Sequence, residues 1–247
     1  MNKQTITILA IVAVVVVIAI AALTFRNQTI AEPTVSPENN IVTEGDVMEG
    51  DVMEENDTMP MQQDPIENGA YTVQPSDSTV EWEGRKTLIA NYADSGTINV
   101  ESGSFNVANG TVSGGTITLD MASIETTYVT MTALGTAGLT KHLKSPDFFD
   151  VEEYPTATFA VIGSEAGEAE GTLNVRGNLT IKGHTEAVTI PVKIGMENGR
   201  AVVMGSIEVD RTLFDVRFGS GKFSDDLADN VIDDMFSLTF TLTADKK

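Results

Sequence analysis

The chain has 247 residues, and setting aside an apolar N-terminus to residue 26 and a polar stretch to residue 69 leaves about 178 for folding, which suits one domain and argues against a second sizeable one. Asp and Glu number 36 against 15 Lys and Arg, a formal charge of -21, so long-range attraction to nucleic acid is disfavoured. There is no Cys, which excludes thiol catalysis, disulfides, Cys-ligated zinc, iron–sulfur clusters and a lipidated N-terminal cysteine, and with only His142 and His184 a three-histidine metal site cannot be built.

Residues 1–26 read as a membrane anchor. Twenty residues from Ile6 to Phe25 run without a charge and are mostly Ile, Val, Leu and Ala. A helix of that length rises ~30 Å, the thickness of the hydrocarbon layer. The rival reading is a cleaved signal peptide, for which Ala19-Ile20-Ala21 resembles a cleavage site. The apolar run continues through Leu23 and Phe25 with no preceding Gly or Pro, which favours the anchor. Lys3 and Arg26 flank the run too evenly for the positive-inside rule to decide orientation.

Residues 27–69 read as a disordered acidic linker, with eleven acidic residues, no basic one, and Pro33, Pro37, Pro60 and Pro65 interspersed. Such a segment buries too little apolar surface to offset its ordering entropy, and its like charges extend it as a spacer. This composition supports export: the N-terminus is expected in the cytoplasm and the C-terminal domain outside it, on a single-pass membrane protein, or secreted or periplasmic if the leader is cleaved. The tandem Gly45-Asp46-Val47-Met48-Glu49 and Gly50-Asp51-Val52-Met53-Glu54 is low complexity rather than a structural repeat.

From residue 70 the pattern changes to period two. Leu173, Val175, Leu179 and Ile181 share one parity while Thr172, Asn174, Arg176, Asn178 and Thr180 take the other, as in a strand with one wet face. The same alternation runs through Val188, Ile190, Val192 and Ile194, through Val203, Ile207 and Val209, and through Phe236, Leu238, Phe240 and Leu242. Asn109-Gly110, Lys182-Gly183 and Asn198-Gly199 mark hairpin turns between such runs. The pattern predicts a mainly β chain folded as an antiparallel meander or barrel. Thr130 to Phe149 breaks the rhythm with the helical spacing of Leu134, Leu139 and Leu143, so one or two short helices are expected, with Ser145-Pro146-Asp147 as a helix start. Such an insertion caps a barrel mouth or covers a sheet edge.

Several segments in this region, in this order, resemble the YceI-like family of lipid- and polyisoprenoid-binding, lipocalin-like barrel proteins. They are His142-Leu143-Lys144-Ser145-Pro146-Asp147-Phe148-Phe149-Asp150, Tyr154-Pro155-Thr156-Ala157-Thr158-Phe159, Gly177-Asn178-Leu179-Thr180-Ile181-Lys182-Gly183 and Val188-Thr189-Ile190-Pro191-Val192. Asp210-Arg211-Thr212-Leu213-Phe214-Asp215-Val216-Arg217-Phe218-Gly219-Ser220-Gly221 and the acidic run to Asp234 are similar to one branch of the family. The resemblance covers residues 70–247 and implies an antiparallel barrel whose lumen holds a non-covalent isoprenoid lipid, such as a prenyl quinone or prenyl phosphate, with no catalytic reaction and no other cofactor.

On that footing Phe148, Phe149, Tyr154 and Phe159 are the first candidates for contact with a lipid tail, with Leu143 beside them and with Trp82, Phe105, Leu119, Met121 and Ile124 as further lumen candidates. Alternation identifies a face and leaves open whether that face packs a solid core or lines a cavity. For a polar head group the candidate cations are Arg85, Lys86, Lys141, His142, Arg211 and Lys222, each of which also reads as a surface charge or a structural ion pair, and His142 also as a helix-capping or core histidine. Asp225, Asp226, Asp229, Asp233 and Asp234 lack EF-hand spacing and read as solvated surface, so no metal site is expected. The chain has no Gly-x-Ser-x-Gly elbow, and Gly219-Ser220-Gly221-Lys222 lacks full phosphate-loop spacing, so no enzymatic activity is expected. The functional expectation is an exported, membrane-anchored module that sequesters or transfers an isoprenoid amphiphile. The alternative is a solid-cored adhesion or stress-interaction module that binds a protein.

Overall fold

A computed structural model describes residues 64–130, 134–224, 227 and 230–247. The expected anchor and the linker as far as residue 63 lie outside the described residues, among which no helix is long and apolar enough to cross a membrane.

Among the described residues nine strands follow one another: β1 (Gly69–Val73), β2 (Thr79–Lys86), β3 (Ala93–Ala108), β4 (Thr111–Tyr128), β5 (Thr156–Ala166), β6 (Thr172–Ile181), β7 (His184–Glu197), β8 (Arg200–Asp210) and β9 (Ile232–Lys246). From β2 onward each pairs antiparallel with the next, and β2 returns to β9, which closes the sheet. The strand β1 fills the remainder of the slot between β3 and β9, pairing Tyr71 with Phe105 on one side and with Lys246 on the other. The barrel therefore has eight strand positions built from nine strands. Closure leaves no unpaired sheet edge, so the helical insertion is a cap rather than an edge cover.

The hairpin turns form where the sequence signals them. Asn109 and Gly110, Lys182 and Gly183, and Asn198 and Gly199 all have positive φ, the backbone that matches the twist of the flanking strands. Inward parity is equally regular: on β6, Leu173, Val175, Leu179 and Ile181 are buried, as are Ile190, Val192 and Ile194 on β7.

The two ends of the barrel differ. One end, the floor, carries the turns at 109–110, 167–171 and 198–199 and both termini of the described domain. There Tyr71 and Phe105 stack with ring centroids 5.2 Å apart, and the Tyr71 hydroxyl donates to the Glu67 carbonyl at 2.8 Å. The residues from Asp64 to Asn68, read from sequence as linker, are fastened here. The Met196 N–H donates to the Asp64 carbonyl at 2.8 Å, Ile66 packs on the floor-side core, and Lys246 pairs with Glu67 at 2.7 Å.

The other end, the mouth, carries α1 (Gly135–Lys144), the loops at 87–92 and 211–231, and the turns at 145–155. Leu139 and Leu143 turn the apolar stripe of α1 onto the mouth-side core, and Thr140 accepts the Thr126 N–H at 2.8 Å. Ser145-Pro146-Asp147 corrects the expected helix start. Ser145 caps the end of α1, and the N–H groups of Phe148 and Asp150 both return to its carbonyl, winding a turn instead of a second helix.

Candidate functional site: a lumen open at one end

Two cavities lie in series along the barrel axis, and both are bordered by Leu238. The inner one, toward the floor, has a volume of about 120 Å³ and is lined by apolar side chains from all the full-length strands, with Thr158 as the one polar residue. The outer one, about 480 Å³, opens between α1 and the 211–231 loop. That volume lies in the range of small-molecule sites, and an apolar chamber such as the inner one stays dry.

Burial along the strands separates a lined cavity from a solid core. Leu119, Phe159, Val161, Ile207, Leu238 and Phe240 have inward parity and border the inner cavity, yet all are only partly buried. In a filled barrel these positions would lose nearly all exposure, as Leu173 (5 %) and Ile194 (5 %) do on the same wall, where neither cavity reaches. The residual surface faces the lumen. Gly177 contributes to this shape, because a Cβ there would lie 2.5 Å from the Phe159 ring, so only Gly lets that ring lie against the wall.

The predicted tail contacts divide between the chambers. Phe105, Leu119 and Phe159 line the inner cavity, while Trp82, Ile124, Leu143, Phe148 and Phe149 line the outer one. Met121 is buried in the mouth-side core without reaching either. Tyr154 also reaches neither; its ring packs over Gly183 on the hairpin turn between β6 and β7. The Phe148 ring meets His142 edge-on at 4.9 Å, Phe218 at 5.3 Å and Phe149 at 6.5 Å, an aromatic wall on one side of the mouth.

The six candidate cations separate more sharply. Arg85, Lys86, His142 and Arg211 border the outer cavity, whereas Lys141 is exposed on α1 and borders neither. Arg211 is 4 % exposed, and its guanidinium donates to the carbonyls of Asp233, Val216, Phe218 and Ile232 while lying 3.7 Å from Asp234. Burial lowers its pKa and Asp234 opposes the shift, but its donors are spent on the chain, so it clamps the 211–231 loop to the start of β9 instead of facing a head group. Lys222 is held between Asp210 at 3.0 Å and Asp234 at 3.1 Å. Arg85 pairs with Glu83 at 2.7 Å and His142 with Asp147 at 3.1 Å, both near solvent. Lys86 instead lies 5.1 Å over the Tyr92 ring, with Asn230 Oδ1 3.4 Å away.

Tyr92 and Asp94 also border the outer cavity and were not singled out from sequence. The buried Tyr92 hydroxyl donates to Asp94 Oδ2 at 2.7 Å, and Thr130 N–H donates to Asp94 Oδ1 at 3.0 Å. Burial first, then the bond to Asp94, raises the Tyr92 pKa well above the ordinary phenol range. Their parity with Ile98 and Val100 on β3 was the available signal. The mouth thus offers an ammonium, a guanidinium and an imidazole beside a carboxylate at the entrance to an interior whose one polar lining residue is Thr158. That arrangement suits an amphiphile lying tail inward. Of the acidic run, Asp233 borders the outer cavity and Asp234 pairs with Arg211 and Lys222, while Asp225, Asp226 and Asp229 lie outside the described residues; no cluster of three or more His, Asp or Glu able to hold a metal occurs among the described residues.

The YceI-like domain model matches residues 71–244. The chain belongs to the YceI-like family. Among its relatives, a UPF0312 protein of Ectopseudomonas mendocina is 37 % identical over 90 residues, which is 36 % of this chain and 42 % of that protein. A UPF0312 protein of Pseudomonas aeruginosa is 35 % identical over 78 residues, 32 % of this chain and 36 % of that one. The matches thus span less than half the length of these relatives. Among solved structures, BcnA of Burkholderia cenocepacia superposes with a TM-score of 0.52 at 25 % identity, covering 69 % of this chain and 98 % of that one. A polyisoprenoid-binding domain of Saccharophagus degradans, implicated in plant cell wall breakdown, gives a TM-score of 0.55 at 17 % identity over 72 % of this chain and 99 % of that one, a likeness of fold. Both neighbours consist almost entirely of this barrel.

Proposed function

We propose that this YceI-like domain sequesters or transfers a long-chain isoprenoid amphiphile, of the prenyl quinone or prenyl phosphate type, held tail inward in the lumen and head outward beside Lys86 and Arg85. The observation that carries this reading is the retained exposure of inward-facing Leu119, Phe159, Ile207, Leu238 and Phe240 inside a closed barrel, which leaves an apolar space from the mouth toward the floor. Burying hydrocarbon is worth ~0.8 kcal/mol per CH₂ before costs, so a few isoprene units give micromolar affinity. The likeness in fold to a polyisoprenoid-binding domain supports the same ligand class. The role is one of binding, without catalysis.

The same proposal places the chain in the cell membrane through Ile6–Phe25, with the barrel outside the cytoplasm. Protease added to spheroplasts should then remove the barrel by cutting the linker, whereas protection until lysis reverses the orientation. For the ligand, native mass spectrometry of gently purified protein, followed by lipid extraction, should show stoichiometric prenyl lipid. Repeated absence of lipid, with no uptake of an added prenyl quinone or prenyl phosphate, would sink the proposal in favour of a protein-binding module.

A further inference from the structure

Large apolar side chains are exposed at one end of this barrel and not at the other. Among the described residues eight are exposed, and only Ile162, midway along β5, is away from the mouth. The floor turns at 109–110, 167–171 and 198–199 carry none; they are Asn-Gly, Gly-Glu-Ala-Glu-Gly and Asn-Gly. At the mouth, Leu88 (63 %), Leu134 (56 %), Phe218 (44 %) and Phe223 (52 %) project from three separate segments around the opening.

We infer that the mouth end docks on a lipid bilayer by inserting Leu88, Leu134, Phe218 and Phe223 into the interfacial layer, so that the lumen opens directly onto hydrocarbon. The inference rests on the lipid-carrying role proposed above and adds the surface from which the lipid is taken.

Three observations select a bilayer as the occupant. The first is continuity: Leu134 and Phe218 line the outer cavity and are also exposed on the rim, so apolar side chains lead from the cavity to the exterior. A hydrocarbon tail leaving a membrane along that path never crosses water. The second is the form of the rim, four side chains on three segments around an opening, with the Arg217 guanidinium 4.7 Å over the Phe223 ring. An aromatic ring with a cation beside it suits the headgroup boundary. The third is the chain outside the described domain. It joins at the floor, where Asp64 pairs with Met196. Residues 26–63 reach roughly 130 Å when extended, while the 16 residues of β3 measure about 50 Å. A barrel tethered through Ile6–Phe25 can therefore turn its mouth to the membrane that holds it.

Charge defines which bilayer. With a formal charge of -21, to which residues 27–69 contribute eleven acidic side chains, the chain has no net attraction to anionic lipid, so docking is apolar, directed to zwitterionic surfaces and insensitive to salt. This distinguishes it from attachment by a basic patch.

The absence of Cys makes the test direct, because any single introduced cysteine is a unique label. The full chain, labelled with an environment-sensitive dye at Leu88→Cys or Phe223→Cys on the rim and at Glu168→Cys on the floor, is added to phosphatidylcholine vesicles containing nitroxide lipid. Rim labels should shift to the blue and be quenched several-fold more than the floor label, equally at 0.05 and ~0.5 M salt. Equal quenching at both ends, or none at the rim, overturns the inference, as does quenching abolished by salt. Native mass spectrometry on the same samples with an added prenyl quinone separates this from the lumen reading. Protein that carries the quinone but shows no rim quenching overturns the docking alone, whereas rim quenching without quinone uptake supports the docking and overturns the lumen reading.

Discussion

Tyr71 and Phe105 stack with their rings 11° from parallel and so close one end of the lumen. Tyr71 has no exposed surface and Phe105 is 5 % exposed, and they come from β1 and the floor end of β3, so the floor exists only because β1 completes the slot that β2 leaves. Phe105→Ala should cost ~3–5 kcal/mol, since it opens a cavity against rigid sheet. Chemical denaturation read by tryptophan fluorescence checks this, and a loss under ~1 kcal/mol would show that the floor is not close-packed.

The shared border at Leu238 makes it the waist of the lumen. Leu238→Trp fills space that is empty, so it should leave stability nearly unchanged while shutting the inner chamber. Competition between short-tailed and long-tailed prenyl alcohols, read by native mass spectrometry, should then move at least tenfold toward the shorter one. An unchanged preference would mean that tails do not pass Leu238.

Phe148 and Phe149 occupy different depths because a turn, not a strand or a regular helix, carries them. Phe148 is 6 % exposed and surrounded by His142, Phe149 and Phe218, whereas Phe149 is only partly buried at the cavity wall. Phe148→Asp buries an unpaired charge and should lower both melting temperature and lipid binding. Phe149→Asp should keep the melting temperature within a few degrees and lose most binding. Normal lipid uptake by folded Phe149→Asp protein would remove that ring from the site.

Arg211→Met should destabilise by about 3 kcal/mol or more, because it leaves the carbonyls of Val216, Phe218, Ile232 and Asp233 without their donor in buried surroundings. Arg211→Lys should rescue little, since one ammonium cannot reproduce the fork. Thermal melts of the two variants check this. A stable Arg211→Met protein with weakened binding of an anionic prenyl phosphate would return Arg211 to the head-group site.

Asp210 supplies a pH dependence. Burial pushes its pKa up, but hydrogen bonds from Thr212 and Lys222 outweigh this and hold it below the usual carboxylate value. A depressed folded pKa means stability that is fully present above the unfolded value, about 3.9, and is lost as pH falls through the folded one. Asp210→Asn should therefore be less stable than wild type at pH 7, and the gap should close as the pH is taken down through about 4 toward 2. A gap that persists or widens in acid would assign the stabilisation to something other than the Asp210 carboxylate.

What the sequence determined by itself was local. Period-two alternation located the full-length strands β6, β7, β8 and β9, and the Asn-Gly and Lys-Gly pairs located their turns, because parity and positive φ are properties of adjacent residues. The ordered motifs from His142 to Gly221 led to the family. Depth along the barrel axis was decided only in three dimensions. Leu173 and Phe159 alternate inward alike, yet one is 5 % exposed in the floor-side core and the other faces empty space, because the difference depends on which strands the closed register brings opposite each. Arg211 and Lys86 were equal candidates by composition and separated only when the 211–231 loop folded its carbonyls around the first and left the second over the Tyr92 ring. Tyr92 and Asp94 are not legible as site residues in the sequence, because a polar pair on an inward parity reads as a broken strand without the open mouth above it, and the rim of Leu88, Leu134, Phe218 and Phe223 unites segments far apart in sequence that barrel closure alone brings to one end.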